Sequence, residues 1–306
     1  MWVLLWADME GMSRVADHCE CWPVFLEYWR AGRRKFTGEV VAAATGLLQG
    51  GASAVFVVNR HGLGWPNVLW DELLERVVPA DDDAWGEGFD AMFQIGFHAR
   101  AGTVDGFVSH TMVPGLRVAV DGAPVTECHI WAWLAGLPVL GIAGDAAMGG
   151  QLDAGLDGTP FLEVKRSVSR TETTPIHHDP DGSLNALREF ARHCGQAPPA
   201  PAPGLPSRFT FAVSMDPELS SQAEGRHGLT RASASVLSKQ AEDWGRDAQP
   251  ALEAAMAAAL RPLLAAQADL DLSSEAAMNR QDPAKLQRFR AFFVDWVQAD
   301  EPTWRS

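Results

Sequence analysis

The sequence predicts an α/β fold: a mostly parallel sheet flanked by helices in a Rossmann-like three-layer arrangement, with a β-hairpin insertion and a smaller C-terminal α/β part ending in helices. Two observations carry this. Apolar runs of strand length recur through the first half, at "WVLLWA", "AVFVVN", "AMFQIGF" and "LPVLGIAGD". A helix-like segment with start and stop signals separates the first two, which makes a βαβ unit with parallel strands and a right-handed crossover.

Residues 2–7 read as a strand buried on both faces, because the run is apolar without alternation. "TGEVVAAATGLLQGG" reads as a helix with Thr37 as N-cap, Glu39 in the first turn and Gly50-Gly51 as the stop. "ASAVFVVNRHG" is the second buried strand and ends in Asn59, Arg60, His61 and Gly62. The third, "AMFQIGFHARAG", ends in His98, and a fourth ends in Gly144 and Asp145. "LRVAVDGAPVTE" places two short strands about Asp121-Gly122, a hairpin signal. The Pro/Ala-rich "GQAPPAPAPGLPSR" reads as a semi-rigid linker, so composition divides the chain into 1–194, an α/β domain, and 195–306. The second part holds a strand at "RFTFAVSM" and an Ala/Leu-rich helical tail, with Pro250 in a first turn and Pro262 at a kink.

The net charge of −14 opposes nucleic acid or an anionic membrane as partner, since both are bound through basic patches. No apolar run approaches the roughly 20 residues of a membrane span. Four cysteines without zinc-ribbon spacing, two of them too close for an easy mutual bridge, read as thiols in a cytoplasm.

Asp8 and Glu10 stand where the first strand runs out, two residues apart, so both carboxylates project to one face. Held together in a crevice they repel unless one is protonated or a cation compensates. His61 and His98 end neighbouring strands on the same edge, where ligands of open α/β sheets bind. Oxygen and imidazole donors together suit zinc, manganese, cobalt or iron. Singly, each residue has a commonplace reading: Asp8 as a turn residue, His177 and His178 as a surface turn, His193 and His227 as solvated side chains, Cys128 and His129 as packing. The convergence of Asp8, Glu10, His61 and His98 sets these four apart.

In order and spacing, "ADMEG", "VVNRHG", "GFHARAG", "VSHTM" and "VTE" resemble the DppA-type D-aminopeptidases, a family of binuclear zinc peptidases. The resemblance covers residues 3–170 well and thins towards 245. It implies five metal ligands: Asp8 as the bridging carboxylate, His61 and His98 completing one metal, Glu10 and Glu127 holding the other. The implied cofactor is two Zn2+, with Mn2+ or Co2+ as substitutes. Two divalent ions against three carboxylates and one hydroxide form a neutral centre, which accounts for buried acidic side chains. His110 matches a further active-site histidine, a proton carrier or stabiliser of the tetrahedral intermediate.

The resemblance also implies a metal-dependent amide or peptide hydrolase of aminopeptidase type, acting on a small amide or a D-amino-acid-containing peptide. The family's ring-like decamers imply a homo-oligomer. Two departures stand out. Asn59-Arg60 replaces the family's Asp-Ser before the histidine, removing a carboxylate that would hold the imidazole, and Trp131 replaces an asparagine. They leave open a diverged metal-binding scaffold, or an acyl-transfer enzyme of a specialised pathway.

Overall fold

The computed structural model describes residues 1–62, 66–81, 88–104, 106–153 and 155–298. Contacts group the chain into two compact units, one of Met1–Ala99, Asp105–Phe107 and Trp131–Gly204, the other of Arg100–Val104, Val108–Ile130 and Leu205–Ser306. These are discontinuous in sequence, unlike the 1–194 and 195–306 division expected from composition.

The first unit is built on a seven-stranded sheet. Its strands are β1 (Trp2–Ala7), β2 (Ala54–Asn59), β3 (Val77–Pro79) and β4 (Ala91–Phe97), with β7 (Val139–Asp145), β8 (Phe161–Ser167) and β9 (Thr173–Pro175) further along the chain. Their order is β3-β2-β1-β4-β7-β8-β9, parallel throughout except for the antiparallel β8–β9 pair. β1 is central and buried from Val3 onwards, as its unbroken apolar run requires. Helices α1 (Leu26–Gln49) and α4 (Pro180–Gln196) pack against each other and flank the sheet, α1 on β1 and β2, α4 on β7 and β8. The helix α3 (Ala146–Gly149) follows β7 directly.

Helix α1 starts at Leu26, well upstream of the cap expected at Thr37. Leu26, Trp29, Gly32 and Phe36 are buried at helical spacing, and this apolar stripe outweighs the local cap signal. Thr37 lies inside the helix, donating its hydroxyl to Arg33 O (2.8 Å) and accepting from Leu69 N (3.0 Å). The stop is where the glycines put it, with Gly51 at φ +111°.

The second unit contains a five-stranded antiparallel sheet of order β11-β12-β10-β5-β6. The hairpin β5 (Arg117–Val120) and β6 (Ala123–Pro124) turns at Asp121-Gly122, both with positive φ. It pairs with β10 (Phe209–Ser214) from beyond the Pro/Ala-rich stretch, and β11 (Thr230–Arg231) and β12 (Val236–Ala241) complete the sheet. That long-range pairing is why no single cut in the sequence separates the units. Between its two ends, the helix α2 (Glu127–Ala135) carries the chain from the second unit back to the first. The remaining helices are α5 (Pro217–Ala223), α6 (Gln249–Ala259), α7 (Arg261–Ala266), α8 (Glu275–Met278) and α9 (Pro283–Gln298). Pro250 sits in the first turn of α6, and Pro262 opens α7 where the helical run breaks. Among the described residues, no helix is long and apolar enough to cross a membrane.

Two glycines let the ends of β1 and β4 meet. Gly96 has φ +75°, and a Cβ there would lie 1.9 Å from Asp8 O; a Cβ on Gly11 would lie 1.9 Å from Phe97 O. Gly11 N donates to Gly96 O across this contact at 2.6 Å. Gly96→Ala therefore faces both a left-handed backbone and a backbone clash, and is expected to cost more than about 2 kcal/mol. Urea denaturation reads this directly; a midpoint equal to that of the native chain would refute the close-approach argument.

Candidate metal centre

The end of β1 places Asp8 and Glu10 in the interior, 3% and 1% exposed. The end of β2 supplies His61 and that of β4 supplies His98, both buried. His61 Nδ1 lies 3.0 Å from Glu10 Oε2 and 3.5 Å from Asp8 Oδ1. The other Asp8 oxygen, Oδ2, lies 3.5 Å from His98 Nε2. Asp8 thus faces one imidazole with each oxygen. Asp8, Glu10 and His61 present donor atoms close enough together to share one ion.

Hydrogen bonds on the far side of each ring select the atom that faces the carboxylates. His61 Nε2 donates to Cys21 O (2.7 Å), which leaves Nδ1 as its lone-pair atom. His98 Nδ1 donates to Ala99 O (2.9 Å), which leaves Nε2. On the side of each ring away from Asp8 and Glu10, a main-chain carbonyl accepts the hydrogen bond that orients it. Asn59 turns to the main chain, its Nδ2 donating to His61 O at 3.0 Å. The Trp22 ring lies 4.9 Å from that of His61 and closes its other side.

The electrostatics describe a site that calls for positive charge. Burial, and then Glu10, push the Asp8 carboxyl above the usual carboxylate range. Burial opposes a charged His61, but Glu10 and Asp8 outweigh it and raise its pKa to about 10. A proton, or a divalent ion in its place, satisfies this arrangement. Buried oxygens and imidazole lone pairs converging on one point fit zinc or a similar ion.

The second unit holds the other two expected residues, as a pair. His110 Nδ1 donates to Val108 O (2.7 Å), and its Nε2 lies 3.8 Å from Glu127 Oε1. Glu127 is in the first turn of α2 and accepts from Met112 N at 2.6 Å. Val108 and Met112, two residues to either side of His110, have φ of +44° and +68°. Such backbone strain in non-glycine residues, one of them β-branched, is typical of sites whose geometry is functional. His129 is a packing residue, as expected: it is fully buried and its Nδ1 accepts from the Thr126 hydroxyl at 2.8 Å.

Arg60 and Trp131, two of the departures from the family pattern, touch. The guanidinium carbon lies 4.1 Å from the Trp6 ring and 4.5 Å from the Trp131 ring. The two indoles meet edge to face at 5.2 Å. The substitutions form one cation–π unit beside His61, and together with Trp22 they give three of the chain's 12 tryptophans a local purpose. Arg60→Ala and Trp131→Ala should therefore couple by about 0.5–2 kcal/mol in a double-mutant cycle on unfolding. Strict additivity would mean that the contact contributes nothing.

Several contributors escaped the sequence reading. Cys21 ends one 3-10 turn, His18–Cys21, and Trp22 links it to the next, Pro23–Phe25, and no periodicity announces either. Glu39, read as a first-turn residue, is buried and accepts from Ser13 N (3.0 Å), Ser13 Oγ (2.8 Å) and Arg14 N (3.1 Å). Lys165 is fully buried in β8, where "EVKRS" has the look of an exposed strand. The four cysteines are all thiols.

Comparison with known proteins follows the same direction. The family profile described as Peptidase M55, D-aminopeptidase, matches residues 1–253. Among solved structures, the zinc-dependent D-aminopeptidase DppA from Bacillus subtilis, described as a self-compartmentalizing protease, superposes with a TM-score of 0.75. It is 22% identical, over 85% of this chain and 98% of that one, a likeness of fold. No curated protein matches the sequence.

Proposed function

Because the chain belongs to the Peptidase M55 family of D-aminopeptidases, we propose that it is a metal-dependent amide hydrolase that removes the N-terminal residue from small D-amino-acid peptides or amides. The observation that carries this is the buried cluster in which both Asp8 oxygens and Glu10 face imidazole lone pairs. Asp8, Glu10, His61 and His98, with Glu127 as the fifth residue of the family pattern, would hold two Zn2+. Bound there, the ions supply Lewis acidity towards a scissile carbonyl and acidify a water towards neutral pH.

The chain's own residues do the rest. Cys21 O and Ala99 O keep His61 and His98 in the tautomers that bind metal. His110 commits its Nδ1 proton to Val108 O, so Nε2 is the ring atom that would take up a proton, or donate one to a developing oxyanion or leaving amine. Self-assembly, as in the self-compartmentalizing neighbour, and a cytoplasmic location belong to the same reading.

The test is a panel of L- and D-aminoacyl amides and dipeptides, assayed with zinc, manganese or cobalt. Turnover of D-aminoacyl substrates that depends on added metal supports the reading. A folded protein that turns over none of them with any metal refutes it.

A further inference from the structure

We propose that Lys165 is a positioning residue for the metal-ligand segment, its ammonium pinning the peptide that follows Glu10 and so setting the Glu10 carboxylate against His61. The inference rests on the metal reading above.

Lys165 has no exposed surface. A buried ammonium is ordinarily paired with a carboxylate, because desolvation is costly. Here, among the described residues, Nζ donates instead to two main-chain carbonyls, Glu10 O and Val15 O, the latter at 2.9 Å. The face of Phe107 covers it at 4.0 Å from the ring centroid. Two carbonyls five residues apart in sequence are thus drawn to one cation, which closes residues 10–15 into a loop.

Polarity explains the choice of a lysine. Glu39 collects N–H and O–H donors of the same loop, from Ser13 and Arg14. Lys165 supplies donors to its carbonyls. The critical unit is the peptide joining Glu10 to Gly11. Glycine leaves that plane free to rotate, yet both its polar ends are held: the oxygen by Lys165 and the N–H by Gly96 O at 2.6 Å. Rotation of this plane would swing the Glu10 backbone, and with it a carboxylate that sits 3.0 Å from His61 Nδ1. A methionine could fill the same volume but could not hold the plane.

The test is Zn2+ affinity of the metal-free protein, measured by competition with a chromophoric chelator, for the native chain, K165M and K165A. K165M should unfold cooperatively in urea yet bind zinc about 10–100-fold more weakly, the range typical of outer partners of metal ligands. For K165A, n-propylammonium should restore part of the lost affinity while 1-propanol should not, since packing alone would respond to both. Native-like affinity in K165M, or equal rescue by the alcohol, overturns the proposal. Should K165M fail to fold, K165Q, whose uncharged and shorter side chain cannot bridge both carbonyls, takes its place with a loss expected in the same direction; failure of both to fold assigns Lys165 a purely structural role. A native chain that binds no zinc overturns the metal reading and this inference together, whereas normal binding by the native chain and K165M overturns the inference alone.

Discussion

Asp8→Ala is expected to abolish high-affinity metal binding and to lower kcat/KM by at least about 10³-fold, the scale of losing metal activation and the preorganised charge around it. Its two oxygens lie 3.5 Å from His61 Nδ1 and 3.5 Å from His98 Nε2, so one truncation removes the group common to both imidazoles. The fold should survive. Asp8 is buried beside Glu10, and both burial and that neighbour disfavour its charge, so removing it relieves repulsion in the metal-free protein. Metal content after dialysis, measured alongside turnover and urea denaturation, separates these effects. A variant with native metal content would remove Asp8 from the ligand set.

His110→Gln should leave metal content unchanged and lower kcat by about 10²–10⁴-fold, the usual contribution of a positioned proton carrier. Glutamine keeps the size of the ring and a hydrogen-bonding tip but cannot carry a proton. The Nδ1 bond to Val108 O fixes which ring nitrogen is available, and the positive φ at Val108 and Met112 holds the segment in a shape that few residues adopt unaided. Stopped-assay kinetics with metal analysis on the same preparation decide the matter. A fall in bound metal would recast His110 as a ligand; an unchanged kcat would remove it from the chemistry.

The candidate site was largely legible because its parts obey local rules. Strand-length apolar runs announce buried strands, and ligand-type residues directly after them fall at the carboxyl edge of a parallel sheet whatever the details of packing. Asp8, Glu10, His61 and His98 were each found this way, and the structure brings those four together. Gly11 of "ADMEG" and Gly96 of "GFHARAG" belong to the same local grammar, since each lies where a Cβ would strike backbone.

Less legible were features in which a residue's role depends on a distant partner. Thr37 carried a cap signal, but the buried stripe from Leu26 to Phe36 extended the helix past it. Arg60 and Trp131 were separate departures until the fold stacked one on the other.

By itself, then, the sequence determined the α/β class, the strands that end in Asp8, Glu10, His61 and His98, and the resemblance to the family. Those properties are carried by periodicity and side-chain chemistry within short windows. Only the tertiary structure decided that β5 pairs with β10, that Cys21 O orients His61, and that Lys165 reaches Glu10 O and Val15 O. Each of these joins groups far apart in the chain through main-chain atoms, which every residue possesses, so no local residue pattern could mark them.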